Sequence, residues 1–162
     1  MPTGKAFKSR VIDEKDKKIL MILQEDGRES LTKIARKVGL SVDSVKKRMG
    51  NLKEKGIIDK IGVWINPNAL GYNLIVDNKI KLHNITKVER EEFIQYLKNN
   101  RNVIDLLSII GDYDLTCVII AKNANDYEII STEIRQVYNK LIADWTSMLI
   151  LKPHKFEEYN FT

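Results

Sequence analysis

Between Ser41 and Asn51 lie the side chains best placed to do chemistry together: Ser41, Asp43, Ser44, Lys46, Lys47, Arg48 and Asn51. That chemistry is hydrogen bonding to a polyanion, not bond making. Lysine and arginine donate to phosphate oxygens, while serine, asparagine and aspartate complement the donors and acceptors on base edges. On a helix, at about 100° per residue, Val42, Val45, Met49 and Leu52 share one face. Asp43, Ser44, Lys47, Gly50, Asn51 and Glu54 then lie opposite, flanked by Lys46, Arg48, Lys53 and Lys55. Ser44, Lys47 and Asn51 are the candidates for base edges, and Lys46 and Arg48 for phosphates. A solvated basic face has much the same composition, so the position of this helix in the fold has to decide.

No other set of reactive residues is apparent. Cys117 sits in the apolar stretch from Leu115 to Ala121, where a thiol acts as a small hydrophobe. His83 and His154 are far apart and have no partners at metal-ligand spacing. The chain contains no glycine-rich phosphate loop, nucleophile elbow or zinc-protease signature. Neither enzymatic activity, a cofactor nor a metal is expected.

The elements around the basic helix strengthen the binding reading. Ser30 caps a short helix carrying Leu31, Ile34, Ala35 and Val38, and Gly39 ends it. Leu40 enters the turn, Ser41 caps the next helix, and Gly56 closes that one. This is a helix-turn-helix with the basic helix second. Asp13 and Asp16 open a preceding helix that buries Ile19, Leu20, Ile22 and Leu23 and ends near Asp26-Gly27, completing the three-helix minimum. Gly50 costs that second helix about 1 kcal/mol relative to alanine. It is either a point of close backbone approach to DNA or a flaw that packing tolerates.

Net charge is distributed to match. Of the +5 total, residues 1–62 carry 16 Lys or Arg against 9 Asp or Glu, and the remainder is slightly acidic. A basic module joined to a near-neutral one is the footprint of a polyanion binder. Lys5, Lys8 and Arg10 suggest a basic arm or a frayed terminus. With no long apolar run and no signal-like start, the chain is expected in the cytoplasm, away from membranes.

After Gly56 the pattern turns to period two, with Ile61, Val63 and Ile65 on one side and Trp64 on the other, predicting a linking strand. Asn66-Pro67-Asn68 and Gly71 break it. Next come a strand over Leu74–Leu82 and a helix opened by a Thr86/Glu89 capping box, with Phe93, Ile94 and Leu97 inside. Strands over Val103–Ile110 and Leu115–Ala121 flank the turn Gly111-Asp112-Tyr113-Asp114. A helix capped by Asn125 with Glu128 and lined by Ile130, Ile134, Val137 and Leu141 follows, then a strand over Ser147–Leu151. The order βαββαβ is that of a ferredoxin-like domain, giving an α+β fold overall. Two helices cover one face of such a sheet. The strands read as apolar on both sides, so the other face is expected to bury itself in a two-fold dimer. Residues His154 to Thr162 carry no pattern that assigns them a role.

These features resemble the Lrp/AsnC, or feast/famine, family of prokaryotic transcription regulators from about Ile12 to about Lys152. The resemblance is carried by Ile12-Asp13, Asp16-Lys17-Lys18-Ile19-Leu20, Gln24-Glu25-Asp26-Gly27-Arg28 and Ile34-Ala35-Arg36-Lys37-Val38-Gly39-Leu40-Ser41. It continues through Arg48, Leu52, Gly56-Ile57-Ile58, Asn66-Pro67, Leu70-Gly71 and Gly111-Asp112-Tyr113-Asp114. Gly50 and Asn51 depart from the longer residues common there. The resemblance implies a winged-type helix-turn-helix over 1–59, a linking strand and hinge over 60–73, and a ferredoxin-like dimerisation and effector domain over 74–162. The expected partners are double-stranded DNA, further copies of the chain in dimers that the family often builds into tetramers or octamers, and a free amino acid.

For the amino acid the resemblance points to Gly111, Asp112, Tyr113 and Asp114. Carboxylates would hold its ammonium and the Gly111 backbone its carboxylate. Glycine and aspartate are also ordinary turn residues, which is the competing reading. An architectural protein coating DNA with little sequence preference is the alternative to a site-selective regulator.

Overall fold

Each helix of the amino-terminal part starts on a side-chain oxygen supplied by its own sequence. The computed structural model describes residues 12–155 and 157–161, so the basic arm suggested for Lys5, Lys8 and Arg10 lies outside the described residues. In α1 (Glu14–Glu25) the Asp13 carboxylate accepts from the Asp16 N–H at 2.9 Å, and the Asp16 carboxylate accepts in return from the Asp13 N–H. Ser30 and Ser41 cap α2 (Leu31–Val38) and α3 (Val42–Glu54) in one direction only, each hydroxyl accepting from the N–H three residues on. Between these two helices Gly39 adopts φ +68°, where glycine alone avoids a Cβ penalty. Ile19, Ile34, Ala35, Val38 and Val45 form the shared core, and Leu20, Leu52 and Ile58 form a second cluster beside it. Val42 is an exception to the expected inner face. As the first residue of α3 it projects past the core and is exposed.

The linking strand does not form. Residues 59–66 are irregular, and Pro67–Leu70 make a turn of 3₁₀ helix. A period-two pattern specifies an extended chain, but a strand exists only in a ladder. Ile61, Val63 and Ile65 stand exposed, as does Trp64 at 77%.

From β1 (Leu74–Leu82) the chain continues through α4 (Lys87–Asn99), β2 (Val103–Ser108), β3 (Leu115–Ala121) and α5 (Ala124–Val137) to β4 (Ile142–Leu149). The sheet is antiparallel throughout in the order β2-β3-β1-β4, as a ferredoxin-like domain requires. The helix-covered face buries Ile80, Leu82, Phe93, Leu97, Leu115, Cys117, Ile119 and Ile134.

Within this core one polar group is fully enclosed. Asn78 Oδ1 accepts from Tyr127 Oη at 2.6 Å, Ser147 Oγ at 2.9 Å and Trp145 Nε1 at 3.0 Å. Its Nδ2 donates to the Val76 and Cys117 carbonyls. Desolvation pushes the neighbouring Cys117 thiol up to about 12, so it stays protonated and inert.

Three local expectations are corrected. The α5 cap is Asn123, not Asn125: its side chain accepts from the Asp126 N–H two residues earlier than expected. Val137 ends that helix pointing outward at 58% exposure, while Tyr138 packs inward against Phe93. The last strand begins at Ile142 instead of Ser147, because β1 offers it a ladder over its whole length.

The open face of the sheet is mixed instead of uniformly apolar. Leu107, Val118, Ile120 and Met148 share it with Asp77, Lys79 and Thr116, and the Lys79 ammonium lies 2.8 Å from the Asp77 carboxylate.

By internal contacts the chain divides into two units. One runs from Ile65 to His154; the other gathers the three helices and also takes in the tail from Lys155 onward. The tail thus belongs with the helices, whereas the sequence reading placed it in the second domain.

Candidate nucleic-acid interface

The exposed side of α3 is created by what its inner side buries. Val45 and Leu52 are sealed in the core and Met49 packs against it, which turns Asp43, Lys46, Lys47, Gly50 and Asn51 to solvent on successive turns. Apart from the helix's own backbone, no atom of the described residues comes within 4 Å of where a Cβ at Gly50 would stand. The backbone is therefore accessible there.

At the amino end of α3, the Ser41 hydroxyl accepts from the Ser44 N–H at 3.2 Å and pairs with the Ser44 hydroxyl at 2.8 Å. These two serines are partly committed to the cap. Lys46 and Lys47 have no acidic partner among the described residues, so both ammonium groups are available to a ligand.

Arg48 is different. Its Nη1 lies 2.8 Å from the Asp16 carboxylate and 2.7 Å from that of Asp13. Hydrogen bonds to Asp16 and then Asp13 raise its pKa; both fall on Nη1, and the guanidinium keeps the N–H groups of Nη2 and Nε. Arg48 thus ties α3 to the start of α1, a structural role beside the phosphate role expected of it. The signal was present in the sequence, since the paired aspartates that cap α1 form a local excess of negative charge. Sequence spacing alone could not show that they face residue 48.

In the other unit, the four residues of the proposed effector turn also separate. Asp114 is built into the sheet end: its carboxylate accepts from the Leu82 N–H at 2.7 Å, and its own N–H donates to the Ile80 carbonyl at 2.9 Å. Tyr113 Oη pairs with Thr146 Oγ1 at 3.0 Å. Gly111 takes φ +148°, a backbone conformation that favours glycine, and Asp112 beside it is exposed. Asp112 is thus the carboxylate of the turn that remains accessible.

An AsnC-type helix-turn-helix domain matches residues 12–53, which take in α1, α2 and all but the last residue of α3. Over 145 residues the chain is 30% identical to the HTH-type transcriptional regulator FL11 of Pyrococcus furiosus, covering 90% of this chain and 93% of that protein. It belongs to the Lrp/AsnC family. A second member, LrpA of Pyrococcus horikoshii, is 39% identical over 129 residues, which span 78% of this chain and 89% of LrpA. The Lrp/AsnC fold is met again in the AsnC family regulator of Agrobacterium tumefaciens, with a TM-score of 0.82 at 23% identity, covering 92% and 97% of the two chains. A transcriptional regulator of Neisseria meningitidis, solved with L-methionine, gives 0.80 at 21% identity, covering 90% and 94%. The chain is accordingly a DNA-binding transcription regulator of the Lrp/AsnC type. No described helix is long and apolar enough to cross a membrane.

Proposed function

We propose that this regulator binds two-fold related DNA half-sites as a dimer, with α3 entering the major groove. The observation that carries the reading is the outer face of α3, where Lys46, Lys47, Asn51 and the bare backbone at Gly50 are exposed together. Lys47 and Asn51, with Ser44 at the edge, read bases, and Lys46 holds phosphate. Ser41 caps the amino end of the helix, and Asp43 stands exposed in its first turn toward the DNA. Paired helices on a two-fold axis call for half-sites roughly 10 bp apart or a multiple of that.

Competition gel shifts on fragments selected from the source genome test this. A site-selective regulator prefers its own fragments by about 10³-fold or more over bulk DNA. An architectural coating protein shows no such preference. Lys46→Ala weakens binding to all sequences and lowers the salt slope by roughly 0.9, whereas Lys47→Ala also relaxes site preference.

The Gly111–Asp114 turn is the proposed amino-acid site. L-methionine is bound by the Neisseria meningitidis regulator and by the feast or famine regulatory protein of M. tuberculosis. Here the accessible Asp112 takes the ammonium, Gly111 contributes backbone to the carboxylate, and Asp114 holds the turn in place. Calorimetry with each of the twenty common amino acids is the test, using the native chain and Asp112→Ala. Failure of all to bind, or binding that survives the substitution, leaves the turn as a hairpin only.

A further inference from the structure

The segment after Lys155 behaves unlike a frayed terminus. The Gln24 side-chain amide, near the end of α1, brackets the backbone of Tyr159: Nε2 donates to its carbonyl at 3.0 Å and Oε1 accepts from its N–H at 2.9 Å. One residue of a neighbouring strand would offer the same pair of bonds.

Two positions further on, Phe161 packs against the cluster of Leu20, Leu52 and Ile58. The Tyr159 ring lies nearly parallel to it, with centroids 6.3 Å apart. Phe161 also forms one wall of a groove of about 390 Å³ along α1, beside Met21 and Ile22. Phe161 and the Tyr159 backbone are thus held on the same helix at once, while the Tyr159 ring stays exposed beside Phe161.

We propose that α1, together with the Leu52–Ile58 bend, is a docking surface for the chain's own C-terminal segment, and that this segment is a detachable latch. The DNA-binding unit is then connected to the sheet unit twice: once where Trp64 leads into Ile65 and once where His154 leads into the latch. Detachment is built into the contact, because both Gln24 bonds are solvent-exposed and Phe161 is only half-buried. Such contacts open locally without unfolding what lies beneath. While docked, the latch narrows the range of positions open to the helix unit; when released, only the hinge constrains it.

The full chain tests this in three variants: Gln24→Ala, Phe161→Ala, and a stop after His154. Spin labels at Arg36→Cys on α2 and Glu128→Cys on α5, diluted with unlabelled protein, report the distance distribution between the units. Native Cys117 is buried and does not interfere. All three variants are expected to widen that distribution relative to the native chain. In hydrogen exchange, the Tyr159 amide is expected to exchange about tenfold faster in Gln24→Ala, where the exposed amide is lost and the apolar cluster kept. Equal widths in all four proteins overturn the latch, including the case in which Phe161→Ala alone loosens α1, since Phe161 would then be a core residue and no more. Unchanged Tyr159 exchange in Gln24→Ala overturns it as well. Neither readout involves DNA or an amino acid, so the result is independent of the function proposed above.

Discussion

Gly50 shows how a single residue can set stability against binding. Apart from the helix's own backbone, an alanine there would meet no atom of the described residues within 4 Å, so the free chain gains helix propensity at no steric cost. Gly50→Ala should stabilise the protein by about 1 kcal/mol in denaturant titrations. If the backbone at 50 lies against DNA, as proposed, the same methyl lowers affinity for specific fragments in gel shifts. A variant both more stable and equally tight would return Gly50 to a tolerated flaw. Asp13 makes the second residue-scale prediction. The Asp16 N–H, and after it the Arg48 guanidinium, hold its pKa below the ordinary aspartate value. A depressed folded-state pKa contributes stability that is complete above the unfolded value and is lost as pH falls through the folded one. The helix unit should therefore hold its stability down to the ordinary aspartate range and lose it below, and Asp13→Asn should flatten that acid limb. An unaltered limb in thermal melts at stepped pH would place the acid sensitivity elsewhere.

At the scale of elements, helices were more legible than strands, for a physical reason. A helix satisfies its backbone internally, and its caps are local: Asp13, Ser30, Ser41 and Thr86 could each be read from a few residues and stand where expected. The Asn125 misreading is of the same local kind, since Asn123 and Asn125 each precede acidic residues and only the fold chooses between them. Strands depend on partners distant in sequence. Thus β4 began five residues earlier than its composition suggested, and the linking segment, apolar and alternating, formed no strand. The buried Asn78 was likewise invisible, because its partners come from α5 and β4. That network carries an element-scale prediction. Asn78→Ala removes the shared buried acceptor, while the Tyr127 hydroxyl and the Trp145 N–H keep Ser147 Oγ as a partner, so the loss should be about 1–3 kcal/mol in total. Tyr127→Phe removes one donor and keeps the acceptor served, so it should cost about 1 kcal/mol. Similar losses for both in urea denaturation would mean that water replaces the missing partners.

For the whole molecule, the charge division and the open sheet face bear on one question: how two weak DNA contacts become one strong one. A single α3 with a few phosphate contacts binds DNA weakly at physiological salt, and linking two such modules can raise avidity by about 10²–10⁴ without any new contact. In the dimer proposed above, association through the near-neutral unit supplies the link. The open face offers Leu107 and Met148, both close to half exposed, around the Asp77, Lys79 and Thr116 cluster. In that proposal the apolar residues on this face supply association energy, and the charges beside them make the match selective. A charge at the apolar rim should undo this. Leu107→Asp lies outside the helix-covered core, so the fold is expected to survive. At micromolar concentration the native chain should sediment as a dimer and Leu107→Asp as a monomer. Affinity for a paired site should fall by about a hundredfold or more, while affinity for an isolated half-site stays unchanged. A variant that remains dimeric would move the interface to another surface. A monomer that keeps full affinity for the paired site would remove dimerisation from the mechanism of binding.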